Sequence, residues 1–164
     1  MSLTLLLGGA RSGKSRHGEA LIAALPPPWV YVATAQPFDD EMRSRIAEHR
    51  ARRGGFWQTV EAPFDLAAAL ATPHPALVDC LTLWLTNLML AEHDIAAATA
   101  ALDLALDERA AATVLVSNEV GLGIVPENAL ARRFRDEAGW LHQHLAARAD
   151  RVLFMVAGLP MRVK

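Results

Sequence analysis

The chain has 164 residues, of which 52% are hydrophobic and 21% are charged, and its formal net charge is -2. This length fits one domain built on a single core, and the apolar fraction excludes an intrinsically disordered chain. The net charge gives no general attraction to nucleic acid, so a polynucleotide partner is not expected. We therefore predict a single domain over residues 1–164.

The cysteine content and the apolar runs bear on the compartment. Cys80 is the only cysteine, so no disulfide forms within the chain, and a reducing compartment is favoured. The N-terminus has no basic region ahead of an apolar stretch, and no apolar run approaches about 18 residues. We expect a cytoplasmic protein without a membrane span.

The predicted elements alternate between short apolar strands and helices. Strands are predicted over 3–7, 29–33, 56–60, 76–80, 113–117 and 152–156, and helices over 14–25, 39–53, 64–71, 81–90, 95–111 and from Pro126 to near Arg148. The few residues after the last strand either add an edge strand or fray. Such alternation predicts an α/β fold, a mostly parallel sheet with helices on both faces.

The segment between the first strand and the first helix is the strongest signal. It reads Gly8-Gly9-Ala10-Arg11-Ser12-Gly13-Lys14-Ser15, and a Gly-x-x-x-x-Gly-Lys-Ser loop surrounds a phosphate with backbone N–H groups. Lys14 is expected to reach the β- and γ-phosphates, and the Ser15 hydroxyl to ligate Mg²⁺. The strand before and the helix after disfavour a chance match. The sequence therefore predicts a RecA-like P-loop NTPase fold in which all eight residues bind nucleotide.

Acidic and polar residues follow several other predicted strands. Asp79 closes an apolar run and is expected to hold Mg²⁺ from the end of a neighbouring strand, or else to cap the helix that begins at Leu81. Glu119 is a candidate to orient Mg²⁺ or an acceptor hydroxyl, or else it caps its own loop. Thr34 and Glu61 are candidate nucleotide contacts, because α/β sheets bind ligands at the carboxyl ends of their strands.

Arg45 and His49 lie four residues apart in the polar segment and share a face of the predicted helix. A neutral imidazole beside an arginine can attack a nucleotide α-phosphate, while the arginine neutralises the phosphate charge. The residues alone leave a second interpretation open, in which His49 is an ordinary surface histidine.

Six segments together are more specific than the phosphate loop alone. They are Gly8 to Arg16, Tyr31-Val32-Ala33-Thr34-Ala35, Asp40-Glu41-Met42 with Arg45-Ile46 and His49-Arg50, Asp79-Cys80-Leu81-Thr82, Asn118-Glu119-Val120-Gly121-Leu122-Gly123-Ile124-Val125-Pro126, and Arg132 to Arg135 with Asp136. Over nearly the whole chain they closely resemble the bifunctional adenosylcobinamide kinase and adenosylcobinamide-phosphate guanylyltransferase family of cobalamin biosynthesis.

This resemblance implies an enzyme with two steps. The first phosphorylates adenosylcobinamide with a nucleoside triphosphate, and the second transfers GMP from GTP onto that phosphate to give adenosylcobinamide-GDP. Mg²⁺ is the implied cofactor, and GTP and ATP are the implied substrates. The family forms a guanylylated histidine, and His49 matches its Arg-Ile-x-x-His pattern. Glu48 stands where some members carry a second histidine.

The resemblance also implies a homotrimer, in which Leu85, Leu88 and Met89 lie either in a subunit contact or in the core. Two other functions stay open at this point: a P-loop small-molecule kinase without nucleotidyl transfer, and a non-catalytic nucleotide switch. The remaining predictions are structural, with surface positions for His142 and His144, a core position for Cys80, and packing roles for Trp84, Phe134 and Trp140.

Overall fold

The structure, a computed structural model, describes residues 2–36 and 54–164. The predicted polar helix, with Arg45 and His49, lies outside the described residues. The strands are β1 Leu3–Gly8, β2 Trp29–Ala33, β3 Trp57–Glu61, β4 Ala76–Asp79, β5 Thr113–Asn118, β6 Arg151–Val156 and β7 Leu159–Arg162. The helices are α1 Lys14–Ala23, α2 Leu66–Leu70, α3 Leu81–Leu90, α4 Ile95–Glu108 and α5 Ala129–Arg148.

The seven described strands form one sheet in the order β3-β2-β4-β5-β1-β6-β7. Neighbouring strands are parallel except for β6 and β7, which pair as an antiparallel hairpin. The predicted α/β fold is therefore confirmed, and the tail adds an edge strand. The strand that ends at Asp79 was expected to neighbour the phosphate-loop strand. It does not, because β5 lies between β1 and β4.

Apolar side chains alternate between the two faces of the sheet, as the period of a strand requires. On one face, Leu5 and Leu115 pack with residues of α3, α4 and α5, and on the other, Leu6 and Val116 pack with Ile22 of α1. Helices thus cover both faces. None of the helices within residues 2–36 and 54–164 is both long and apolar enough to cross a bilayer.

The start of the longest helix differs from the prediction. It begins at Ala129, and the Asn128 side chain accepts hydrogen bonds from the N–H groups of Leu130 and Ala131. Asparagine at this position satisfies two of the N–H groups that a helix start leaves without partners. Pro126 therefore lies in the preceding loop and does not open the helix.

Several burial predictions fail because periodicity shows a helix face but not what covers it. His142 is only 7% exposed, whereas Trp140 is 63% exposed, so both of these predictions are wrong. Trp84 and Cys80 are buried as expected. Leu85, Leu88 and Met89 are buried within the chain's own core, which removes them as candidates for a subunit contact.

Candidate active site at the carboxyl edge of the sheet

The candidate site residues described by the structure lie along the carboxyl edge of the parallel sheet. Gly8 is the Cα partner of Asn118, and Ala33 is the Cα partner of both Asp79 and Glu61. Glu61, however, ends β3, which is four strands away from β1. At a strand spacing of about 4.8 Å, its backbone is roughly 19 Å from that of Gly8, so Glu61 is not part of the phosphate cradle.

The phosphate loop depends on glycine at two positions. A Cβ on Gly8 would lie 2.8 Å from Ser12 Oγ and 2.9 Å from the Met155 carbonyl oxygen. Gly13 has φ of 92° in the left-handed region and precedes α1, whose N-terminus has no side-chain cap. The first N–H groups of α1 and the positive end of its dipole thus remain available for an anion.

Lys14 lies folded into this loop. Its Nζ donates hydrogen bonds to the Gly9 carbonyl oxygen and, over 3.4 Å, to Ser12 Oγ, and the residue is 7% exposed. Burial lowers the pKa of the Lys14 amine, while Cys80 and Asp79 act in the opposite direction. Since a cysteine thiol is neutral near pH 7, the Asp79 carboxylate is the anion that favours the charged amine there.

Asp79 is held by a neighbouring strand. Its Oδ2 accepts a hydrogen bond of 2.9 Å from the Tyr31 hydroxyl of β2. The N-cap position of α3 is Cys80, and no side chain caps that helix. The prediction that Asp79 caps this helix is therefore wrong. Its carboxylate lies beside the cradle, where its negative charge attracts the Lys14 amine.

Thr34 is fully buried and lies behind the site. Its hydroxyl donates to the Cys80 carbonyl oxygen and accepts from the Cys80 N–H, both over 2.8 Å. The Asn87 Nδ2 donates to the carbonyl oxygens of Thr34 and Pro63. These bonds join the ends of β2 and β4 and fix the backbone that follows Asp79. Asn87 had no predicted role, although an amide within an otherwise apolar helix indicates a buried hydrogen bond.

Glu119 contacts the phosphate loop through its main chain. Its N–H donates to the Gly8 carbonyl oxygen over 2.9 Å, and its side-chain Oε1 accepts from the Gly121 N–H. The loop-capping role is thus present, and it leaves Oε2 3.9 Å from His142 Nδ1. His142 was predicted at the surface and had no predicted role here, because only the fold brings it beside Glu119. Burial lowers the pKa of His142, and Glu119 partly opposes this effect.

Cys80 provides a test of how closed the site is behind the loop. Burial, with the neighbouring Asp79 charge, raises the pKa of its thiol to about 11. A raised pKa keeps the thiol protonated, so at pH 8 only about one molecule in a thousand is ionised. We expect iodoacetamide at pH 8 to leave the native protein unmodified and to alkylate it in urea, as read by intact mass. Rapid alkylation of the native protein would contradict this packing.

Within residues 2–36 and 54–164, no group of three or more His, Cys, Asp or Glu side chains is placed to hold a metal ion on its own. Ser15, Asp79 and Glu119 nevertheless supply hydroxyl and carboxylate oxygens near the cradle. Mg²⁺ is usually held by one or two carboxylates together with substrate phosphates. This donor set therefore fits Mg²⁺ that arrives with a nucleotide.

Comparison with known proteins agrees with this geometry. Residues 4–163 match the family described as cobinamide kinase / cobinamide phosphate guanyltransferase. The bifunctional adenosylcobalamin biosynthesis protein CobP of Pseudomonas aeruginosa is 54% identical, over 98% of this chain and 96% of its own length. The CobU proteins of Salmonella typhimurium and Escherichia coli, also called bifunctional adenosylcobalamin biosynthesis proteins, are 45% and 42% identical over 99% of each chain. The chain belongs to the cobinamide kinase / cobinamide phosphate guanyltransferase family and is a bifunctional kinase and nucleotidyltransferase of cobalamin biosynthesis.

Proposed function

We propose that one phosphate cradle, formed by residues 8–15, serves both reactions. The observation that carries this proposal is the buried Lys14 amine, held in the loop with the Asp79 carboxylate nearby. In the kinase step, a hydroxyl oxygen of adenosylcobinamide attacks the γ-phosphorus of ATP or GTP, the bond to the β-phosphate oxygen breaks, the nucleoside diphosphate leaves, and the hydroxyl gives up its proton. The Lys14 charge stabilises the negative charge that develops on the β- and γ-phosphate oxygens.

Mg²⁺ is the proposed cofactor, held by the Ser15 hydroxyl and, through water, by Asp79. When bound, it neutralises charge on the phosphate oxygens. We propose that Glu119 acts from the loop after β5, between the ends of β4 and β1, where its main chain is bonded to Gly8. It orients the acceptor hydroxyl or the cation. The Thr34 hydroxyl is hydrogen bonded to the Cys80 main chain and so holds the backbone next to Asp79. We propose that Glu61 contacts a part of the nucleotide remote from the cradle.

For the second reaction we propose His49 as the nucleophile. Its imidazole nitrogen attacks the α-phosphorus of GTP, a P–N bond forms, pyrophosphate leaves, and the imidazole gives up a proton. An oxygen of adenosylcobinamide phosphate then attacks the same phosphorus and releases His49, giving adenosylcobinamide-GDP. Arg45 neutralises charge on the α-phosphate. A phosphoramidate keeps the transfer potential that this second displacement needs.

Two observations support His49. It stands in the Arg-Ile-x-x-His pattern, and its segment follows Gln36, which comes shortly after the carboxyl end of β2. His142, the described histidine that contacts Glu119, is buried, and its Nε2 is hydrogen bonded to Ser117. It is therefore a poor nucleophile.

The test is covalent labelling with Mg²⁺ and GTP labelled at the α-phosphate. We expect acid-labile, base-stable label on the wild-type protein, as a phosphoramidate requires, and none on His49→Ala. The same variant should keep its kinase activity within about threefold, since the cradle is intact. His144→Ala is the matched control, because His144 lies on the surface of α5 and bonds Asp103, and it should label normally.

Absence of label on an active wild-type enzyme would mean that GMP passes directly from GTP to cobinamide phosphate. Label that persists on His49→Ala would place the nucleophile elsewhere. Neither result would affect the assignment of the cradle, because that assignment rests on the geometry of residues 8–15.

A homotrimer remains a proposal from the family resemblance. The hairpin of β6 and β7 carries exposed apolar side chains, among them Val156, Leu159 and Met161, which suit a subunit contact better than the buried residues of α3. A cytoplasmic location likewise remains a prediction, supported by Cys80 being a free thiol.

A further inference from the structure

A buried polar pair lies between β5 and α5, behind the candidate site. Ser117 is fully buried, His142 is 7% exposed, and the Ser117 Oγ and His142 Nε2 atoms are 2.7 Å apart. The neighbouring buried residues of α5, Ala138, Leu141 and Leu145, are apolar. A histidine is therefore not needed to fill this space, and its polar contacts require another explanation.

The second imidazole nitrogen faces Glu119. His142 Nδ1 lies 3.9 Å from Glu119 Oε2, while the other carboxylate oxygen accepts from the Gly121 N–H. A shift of about 1 Å would bring His142 Nδ1 and Glu119 Oε2 to hydrogen-bond length. The Glu119 main chain is already fixed, because its N–H bonds the Gly8 carbonyl oxygen. The imidazole and the Gly121 amide thus flank a carboxylate whose backbone is attached to the phosphate loop.

The chemistry of the partners indicates which nitrogen of His142 carries the proton. An ionised carboxylate only accepts hydrogen bonds, so Nδ1 must be the donor toward Glu119. In the neutral imidazole Nε2 is then the acceptor, and the Ser117 hydroxyl donates to it. The Ser117 hydroxyl, which can donate or accept, is compatible with this tautomer, and its bond holds the imidazole in its orientation, as outer partners of functional groups commonly do.

We propose that His142 is a positioning residue that orients the Glu119 carboxylate at the edge of the phosphate cradle, with Ser117 fixing the imidazole. This inference rests on the proposed function of Glu119 in the kinase step. His142 does not touch substrate, and it acts only through Glu119.

Two conservative variants separate this role from a packing role. In His142→Asn the side-chain amide takes the place of Nδ1 and keeps a donor toward Glu119, whereas in His142→Gln it takes the place of Nε2 and keeps the partner of Ser117. We expect His142→Asn to retain kcat of the kinase step within about threefold. His142→Gln should lose about tenfold, which is typical of lost outer partners. The reverse order would overturn the proposal, because the bond to Ser117 would then be what matters.

A double-mutant cycle tests whether the effect passes through Glu119. In a Glu119→Gln background, His142→Gln should change kcat by less than about twofold, since the group it positions is gone. Equal losses in both backgrounds would overturn the proposal. A Glu119→Gln variant with wild-type kcat would overturn the proposed function of Glu119 itself, whereas an effect confined to Glu119→Gln would overturn only the role of His142. His144→Gln, on the same helix, is the control and should match wild type.

A spectroscopic test needs no active variant. In the wild-type protein with ¹⁵N-labelled histidine, the imidazole signals that disappear in His142→Asn or His142→Gln belong to His142. We expect them to show the tautomer protonated at Nδ1. Protonation at Nε2 alone would remove the donor toward Glu119 and overturn the proposal, whether or not the variants are active.

Discussion

Lys14→Ala is expected to lower kcat/KM of both the kinase and the guanylyltransferase reactions by about a thousandfold, or ~4 kcal/mol. The Lys14 amine is the cation held inside the phosphate loop by Gly9 and Ser12. Its charge acts in a site from which water is largely excluded, so its loss is not compensated by solvent. Steady-state assays of each half-reaction, with the phosphorylated intermediate supplied for the second, measure the effect.

The comparison between the two half-reactions is the informative part. If one cradle serves both, the two losses should agree within about tenfold. A large loss in the kinase step with an unchanged guanylyltransferase step would show that GTP binds at a second place during GMP transfer. Lys164→Ala is the matched control, because Lys164 is exposed and its side-chain amine bonds the Ala146 and Ala147 carbonyl oxygens, away from the cradle. It should retain both activities.

The phosphate loop was predictable because its signal is local. Gly8 and Gly13 both have positive φ angles, and Gly8 is crowded by Ser12 four residues later, while a strand and a helix flank the loop in the chain. The parallel order of the sheet also followed from the alternation of elements. The position of β5 between β1 and β4 did not, because the sequence pattern of a buried strand carries no information about its neighbours.

The support behind the site was not predictable, because it joins residues far apart in the chain. Thr34 meets Cys80 across 46 residues and Asn87 across 53, while Ser117 meets His142 across 25. Sequence reasoning assigned Thr34 to nucleotide and His142 to the surface, since each was judged by its own element. Trp84 and Trp140 make the same point, because both lie on helices and only the first faces the core.

These supporting contacts share a physical purpose. The cradle must hold a charged amine and carboxylates close together before substrate arrives, and such preorganisation requires side chains whose own positions are fixed. The Cys80 and Asn87 bonds to Thr34 fix the end of β4 beside Asp79. Hydrogen bonds between neutral groups behind the site thus hold the Asp79 carboxylate near the Lys14 amine.

At the opposite edge of the sheet, Arg109→Met is expected to lower the free energy of unfolding by about 3–5 kcal/mol. Arg109 is 6% exposed, and burial lowers the pKa of its guanidinium, which nevertheless stays charged. It donates to the Thr113 hydroxyl and to three carbonyl oxygens, those of Leu70, Thr72 and His74. Methionine fills similar volume but removes these four hydrogen bonds, although the Leu70 oxygen keeps the Thr72 N–H as a donor.

Urea unfolding measures this loss, with a lower midpoint and an unchanged slope as the expected result. The matched control is Arg148→Met, because Arg148 forms partly exposed ion pairs with Asp103 and Asp107. This substitution should lower the free energy of unfolding by no more than about 1 kcal/mol. Equal losses in the two variants would mean that water replaces the guanidinium at the carbonyl oxygens. A larger loss at Arg109, with kcat unchanged in the folded variant, would show that this buried cation stabilises the junction of α2, β4 and β5 without acting in the reaction.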